Sequence, residues 1–240
     1  MNSLWLAAAL LQSVDAVTIE RSARLRLTDT LGEEQEIHTV QRLTFAPQRL
    51  RIEDVTFGIV TLVRVDQGKI WTWDRFLKVS FEADLKAWNE AHGRELEQIR
   101  RAREAVRGTD EEKRLTRLLV AFGAYDGEPK VSVDSEANER RVRVGAEQVA
   151  ARLVMDPRGP GHPYEVLAAA GAFHPEVGKA LAALEGTPMK GVERTVLLGR
   201  STRVEFEVSA VRTGSVEAAL FEPPAGYTRT AGPQLKAPKR

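Results

Sequence analysis

From Val17 onward the chain alternates with a period of two. Val17, Ile19, Ala23, Leu25 and Leu27 fall on one face, and Thr18, Glu20, Ser22, Arg24 and Arg26 fall on the other. Successive side chains of an extended chain point to opposite sides, so this is the pattern of a half-buried strand. It recurs near the carboxyl end at Val204, Phe206, Val208 and Ala210. Between these strands the pattern predicts further short ones at about 37–45, 50–53, 57–65, 69–73 and 77–81. Ala46-Pro47-Gln48 and Asp66-Gln67-Gly68 supply turn chemistry. The first third of the chain therefore reads as a β-meander.

The period changes at Ala83. Leu85, Trp88, His92, Leu96, Ile99 and Val106 recur at three- and four-residue steps or their multiples, laying one apolar stripe along a helix with a charged opposite face. Gly108 stops it. Thr109-Asp110-Glu111-Glu112 then reads as a capping box, and Leu115, Leu118, Leu119 and Phe122 carry the next stripe. Strand patterning returns at 131–134, at about 141–155, at 192–198 and at 202–211. An alanine-rich stretch from Tyr164 to Leu184 is expected to be helical, with Pro163 and Pro175 at first-turn positions. The class is α+β: a curved, mostly antiparallel sheet interrupted by helices.

The 240 residues suit a single large domain. A net charge of +1, from 35 basic and 34 acidic side chains, gives no global field to gather nucleic acid or an anionic membrane. The absence of cysteine excludes thiol catalysis, cysteine-ligated metals and disulfides. Leu4 to Leu11 is an uninterrupted apolar run followed by Val14-Asp15-Ala16, which reads as an export leader over residues 1–16 with cleavage after Ala16. The alternative is an apolar first element packed on the core. The run is too short to span a bilayer, which takes about 20 residues. Residues 230–240, rich in Lys, Pro and polar side chains, read as a disordered tail.

His38, His92, His162 and His174 fall on different expected elements, and none forms the i,i+4 pair of a zinc protease. The chain has no Gly-x-Ser-x-Gly elbow, phosphate loop or dinucleotide fingerprint, so neither an enzyme nor a cofactor is expected. The aromatic residues carry the sharper hypothesis. Trp71 and Trp73 share one face of a strand, and Phe57 and Ile59 share a face of the one before it, so the two could wall a cavity. Trp88 on the helix stripe and Phe206 on the last long strand complete the candidate lining. The alternative is an ordinary core between sheet and helices.

Arg49-Leu-Arg-Ile-Glu53, Val65-Asp-Gln-Gly-Lys-Ile-Trp71, Gly186-Thr-Pro-Met-Lys190 and the closing Leu220-Phe-Glu-Pro-Pro-Ala-Gly-Tyr227 together resemble the LolA/LolB-like half-barrel superfamily. More narrowly they resemble an exported bacterial family of unknown function within or near it. The resemblance covers most of residues 17–229. It implies an open half-barrel with helices on its concave side, located in the periplasm or secreted. It also implies an apolar ligand such as a lipid or lipoprotein acyl chain, held without enzymatic chemistry. A sensor or protein-interaction platform with an envelope partner is the other function it implies. The long charged helical insertion over residues 83–122 departs from the family pattern.

Overall fold

The computed structural model describes residues 13–233 apart from Glu147; residues 1–12 of the expected leader and 234–240 of the expected tail lie outside the described residues. Among the described residues twelve strands form one sheet: β1 (Ser13–Thr28), β2 (Glu34–Ala46), β3 (Arg49–Asp54), β4 (Ile59–Arg64), β5 (Lys69–Asp74), β6 (Val79–Asp84), β7 (Val131–Glu136), β8 (Glu139–Val144), β9 (Gln148–Asp156), β10 (Thr187–Leu197), β11 (Arg200–Glu217) and β12 (Thr228–Arg229). Their order is β12-β6-β5-β4-β3-β2-β1-β11-β10-β9-β8-β7. Neighbours are antiparallel except β12, which runs parallel to β6. The end strands do not pair with each other, so the sheet is an open half-barrel.

The helices are α1 (Leu85–Ala105), α2 (Asp110–Ala121), α3 (Tyr164–Ala169) and α4 (Pro175–Ala182). The side chain of Thr109 caps α2 by accepting from the Glu112 N–H at 3.3 Å, and the Glu112 carboxylate reaches back to the Gly108 N–H at 2.6 Å. The alanine-rich stretch is two short helices and not one. Gly171, at φ +80°, ends the first run, and His174 Nδ1 accepts from the Glu176 N–H to start α4. The expected strand over 141–155 is likewise a hairpin, turned after Gly145 at φ +64°. Ser13–Ala16, the last residues of the expected leader, continue β1 in register with Gly214–Glu217, and Ala16 is buried.

Alternation gives the sheet two unlike faces. On the inner face Ile19, Ala23 and Leu25 join Leu43, Val204 and Phe206 in a core cluster with Leu167 of α3 and Val177 and Leu181 of α4. Over β1 and β2 the outer face is charged: Glu36 faces Arg24, Arg26 and His38 at 3.7, 3.4 and 3.4 Å, and Arg42 meets Glu20 at 3.1 Å. Such exposed pairs contribute only about 0–1 kcal/mol each. Over β4 and β5 the outer face is apolar instead. There Ala46, Val60, Leu62, Trp71 and Trp73 enclose Phe221, which is wholly buried.

The segment after β11 holds Phe221 in place. Arg64 donates to the Phe221 carbonyl at 2.9 Å and to Glu222 at 2.5 Å, and forks onto both oxygens of Asp66 at 2.8 Å. After Pro223-Pro224 the chain continues to the sheet edge. Thr228 and Thr230 donate to the carbonyls of Lys78 and Ser80 at 2.9 and 2.7 Å, so the first residue of the expected tail is bonded to β6. Replacing Phe221 with Ala leaves a void in this closed cluster. The expected loss is about 3–5 kcal/mol, measured by urea denaturation, together with a changed near-ultraviolet dichroism from Trp71 and Trp73.

Candidate functional site

The inner face is not filled. A cavity of about 170 Å³ lies between β1, β2, β3, β4, β10, β11 and α3. A single water needs only about 10–15 Å³ of such space, so the cavity accepts on the order of ten water-sized units, enough for part of an alkyl chain. Leu25, Ile37, Leu43, Ile52, Phe57 and Val204 make much of its wall, and Leu167 of α3 covers it.

At the middle of β1 the wall is polar. Arg21 falls on the inner face between Ile19 and Ala23, where the pairing of β1 with β11 shifts by one residue. The extra residue is Ser209 on β11, so β1 keeps its alternation and Arg21 takes the inward position its place in the strand dictates. Arg21 Nε donates to Gln41 Oε1 at 3.0 Å and Nη1 donates to Glu193 Oε1 at 3.1 Å, while the guanidinium lies 4.5 Å from the centre of the Phe206 ring. Tyr164 of α3 donates its hydroxyl to Glu193 Oε2 at 2.5 Å. All four hydrogen-bonding residues are buried. Burial first, and then the Glu193 carboxylate, push the Tyr164 phenol well above its ordinary value, so it stays a neutral donor.

At the other end the lining is drawn from turns. Asp54, Phe57 and Ile59 flank the β3–β4 turn, and Leu197, Leu198 and Arg200 flank the β10–β11 turn. Antiparallel connectivity brings the β1–β2 and β5–β6 turns to this same end. Here sit Leu31, Phe76 and Leu77, at 75%, 74% and 68% exposure the most exposed large apolar side chains among the described residues. The Asp54 Oδ1 accepts from Thr39 Oγ1 at 2.6 Å and from the Phe57 N–H at 2.9 Å, which fixes the β3–β4 turn. Burial lowers the Arg200 guanidinium from its ordinary value, and the nearby Asp29 carboxylate partly offsets this.

The sequence candidates divide between the two faces. Phe57 and Ile59 line the cavity. Trp71 and Trp73 do not: β4 pairs Val60 with Trp73 and Leu62 with Trp71, while Ile59 pairs with Asp74, so both tryptophans lie on the outer face around Phe221. The shared aromatic wall expected from the sequence therefore does not form. Phe206 lies beneath Arg21, and Trp88 packs edge-on against Phe81 at 5.6 Å; both belong to the inner cluster without lining the cavity. Arg21, Gln41, Glu193 and Tyr164 escaped the sequence reading. The available signal was one basic residue interrupting the apolar set of β1.

The histidines serve separate structural positions. His162 Nε2 meets the Leu184 carbonyl at 2.7 Å, His174 caps α4, His38 is exposed beside Glu36, and His92 packs on Phe122 with ring centres 5.3 Å apart. Burial holds the His92 imidazole below its ordinary value of 6.5, with Glu95 acting in the opposite sense.

The chain is similar to a LolA superfamily protein from Nitrosomonas europaea, whose crystal structure aligns with 86% of this chain and 90% of its own at 7% identity and a TM-score of 0.31. No family model matches the chain and no curated protein matches it. What the cavity can hold follows from its own walls.

Two outcomes test the site. Glu193→Leu strands the buried Arg21 charge and the Tyr164 hydroxyl, with an expected loss of about 3–5 kcal/mol in chemical denaturation. The double variant Arg21→Met/Glu193→Leu is expected to recover most of it, because an apolar replacement removes both desolvation penalties. For His92, the unfolded chain takes up its proton more readily than the folded one. Its stabilising contribution is therefore complete above pH 6.5 and is lost as pH falls through the lowered folded-state value. The acid-side fall in melting temperature is expected to be smaller in His92→Leu than in the parent.

Proposed function

We propose that this protein binds a lipid or acyl chain non-covalently in the cavity between sheet and α3, and carries it outside the cytoplasm. The single observation behind this reading is the cavity itself, an unfilled apolar space on the inner face of an open sheet. Removing apolar surface from water supplies about 25 cal/mol per Å², or about 0.8 kcal/mol per methylene. A few buried methylenes therefore suffice for micromolar binding once ordering is offset. The resemblance carried by the Gly186–Lys190 and Leu220–Tyr227 motifs agrees with this reading and with export.

A second reading is supported by Leu31, Phe76 and Leu77, whose exposure at one end of the sheet suits a platform for an envelope partner. Native mass spectrometry of protein recovered from the periplasmic fraction separates the two. A processed chain with a solvent-extractable apolar adduct supports the carrier, and a processed chain free of adduct that also fails to bind an apolar fluorophore supports the platform. Ile59 is partly exposed and lines the cavity, so Ile59→Trp is expected to fill that space and weaken fluorophore binding at least tenfold with the melting temperature little changed.

A further inference from the structure

We propose that β7 is a dimerisation edge, at which a second copy of this chain adds its own β7 antiparallel about a two-fold axis through Val133. The sheet then runs on from one copy into the other, with the inner faces of both on the same side.

The two edges of the sheet differ. The β6 edge is covered by β12, and the Thr228 and Thr230 N–H groups donate to the Lys78 and Ser80 carbonyls there. β7 is the last strand at the other edge, and among the described residues no strand pairs with its far side. Its residues from Ser132 to Glu136 are exposed. Val133 is 40% exposed although it pairs with Val142, which is wholly buried. A bare edge is a template for another strand unless a proline or a bulge interrupts it. Neither does so in β7, which pairs with β8 without a register shift from Val131 opposite Val144 to Glu136 opposite Glu139.

The backbone groups at this edge have a definite arrangement. The Gly145 N–H donates to the Lys130 carbonyl at 2.9 Å. Orientation alternates along an antiparallel ladder, so Lys130, Ser132, Asp134 and Glu136 turn their backbone groups toward β8. Val131, Val133 and Ser135 turn theirs outward. Pro129 has no N–H to extend this row at one end. At the other end Ala137, with φ +48°, turns the chain away into β8.

The side chains select the register. An axis through Val133 sets Val133 opposite Val133 and Val131 opposite Ser135, and every outward N–H and carbonyl of the strand then finds a partner. Moving the axis to Ser132 or to Asp134 leaves one end of each strand unpaired, and at Asp134 it also sets two carboxylates opposite each other. With the axis at Val133, Lys130 of each copy lies opposite Glu136 of the other, and Ser132 opposite Asp134. Arg143 Nε donates to the Asp134 carboxylate at 2.5 Å, so Asp134 brings its own counter-charge to the pairing. Opposite charges and apolar side chains at directly facing positions both favour the pair. The strand is therefore complementary to itself in backbone, charge and apolar contact.

The test is sedimentation velocity of the full chain over about a hundredfold range of concentration, because mass action makes a dimer concentration-dependent. The parent is expected to pass from monomer to dimer. Val133→Pro removes an outward N–H without touching the β7–β8 ladder, a position at which an edge strand tolerates proline. It is expected to leave only monomer, with circular dichroism and melting temperature little changed. Lys130→Glu sets like charges opposite each other at both ends and is expected to weaken association about tenfold. The double variant Lys130→Glu/Glu136→Lys restores the opposition of charge and is expected to recover the parent affinity.

A parent that stays monomeric throughout overturns the proposal. Slow hydrogen exchange at the Val133 amide in such a monomer would assign the edge to a segment of the same chain instead. A dimer that persists in a folded Val133→Pro variant lies on another surface and overturns the proposal equally. If Val133→Pro does not fold, the charge variants decide: recovery in the double variant supports the axis through Val133, and association indifferent to Lys130→Glu refutes it.

Discussion

Everything in this fold hangs on β1, the long strand that pairs with β2 on one side and with β11 on the other. A period of two on a strand held on both edges permits no slippage, because a shift of one residue would exchange the entire apolar and charged sets. The inner set faces α3 and the cavity, and the outer set meets Glu36 and Arg42 in water. Once β1 is fixed, β2 and β11 inherit their faces from it, and β10 and β3 inherit theirs in turn. The sheet need not close, because α3 and α4 dry the inner face that closure would otherwise enclose.

The buried Arg21–Glu193 pair is best understood as a consequence of that geometry. The unbroken alternation of β1 carries a basic side chain inward at Arg21, and the low dielectric then demands a partner for it. Glu193 on β10 meets the demand across the intervening β11, and the second oxygen of its carboxylate accepts Tyr164 from α3. One carboxylate therefore ties two strands and a helix to a common point. The contribution to stability is small once desolvation is counted, but the geometry is specific: replacing any one member leaves another polar group buried without its partner.

How much of this the sequence made legible depends on which interactions are local. The meander, the helical hairpin and its capping box rest on spacing within a few residues, and all were readable. The side of the sheet occupied by Trp71 and Trp73 was not, because alternation says which residues share a face and not which face is inner. That answer lies in the β4–β5 register, which sets Ile59 opposite Asp74. Arg21 was legible only as a break in a pattern, since its partners are 20 and 172 residues away. Gly171 could have been read as the end of α3, but an alanine-rich stretch outweighs one glycine in any count of propensity.

The closing motif gains a different meaning from its packing. Read as sequence, Leu220 to Tyr227 marks the end of a sheet; in the structure it is a strap across the outer surface, and the sheet resumes beyond it at β12. β4 shows what the strap does. Its residues alternate between Ile59 and Thr61, which line the cavity, and Val60 and Leu62, which are fully buried around Phe221. That cavity wall is thus backed by a packed layer, whereas β1 and β2, away from Ala16, Thr44 and Ala46, present charged outer faces to solvent. A wall packed on its reverse side resists deformation more than one backed by water. Phe221 and the Arg64 clamp therefore act on the binding space without touching it, holding the strand that carries Ile59 and the turn that carries Phe57 at a fixed distance from the β10–β11 turn across the cavity.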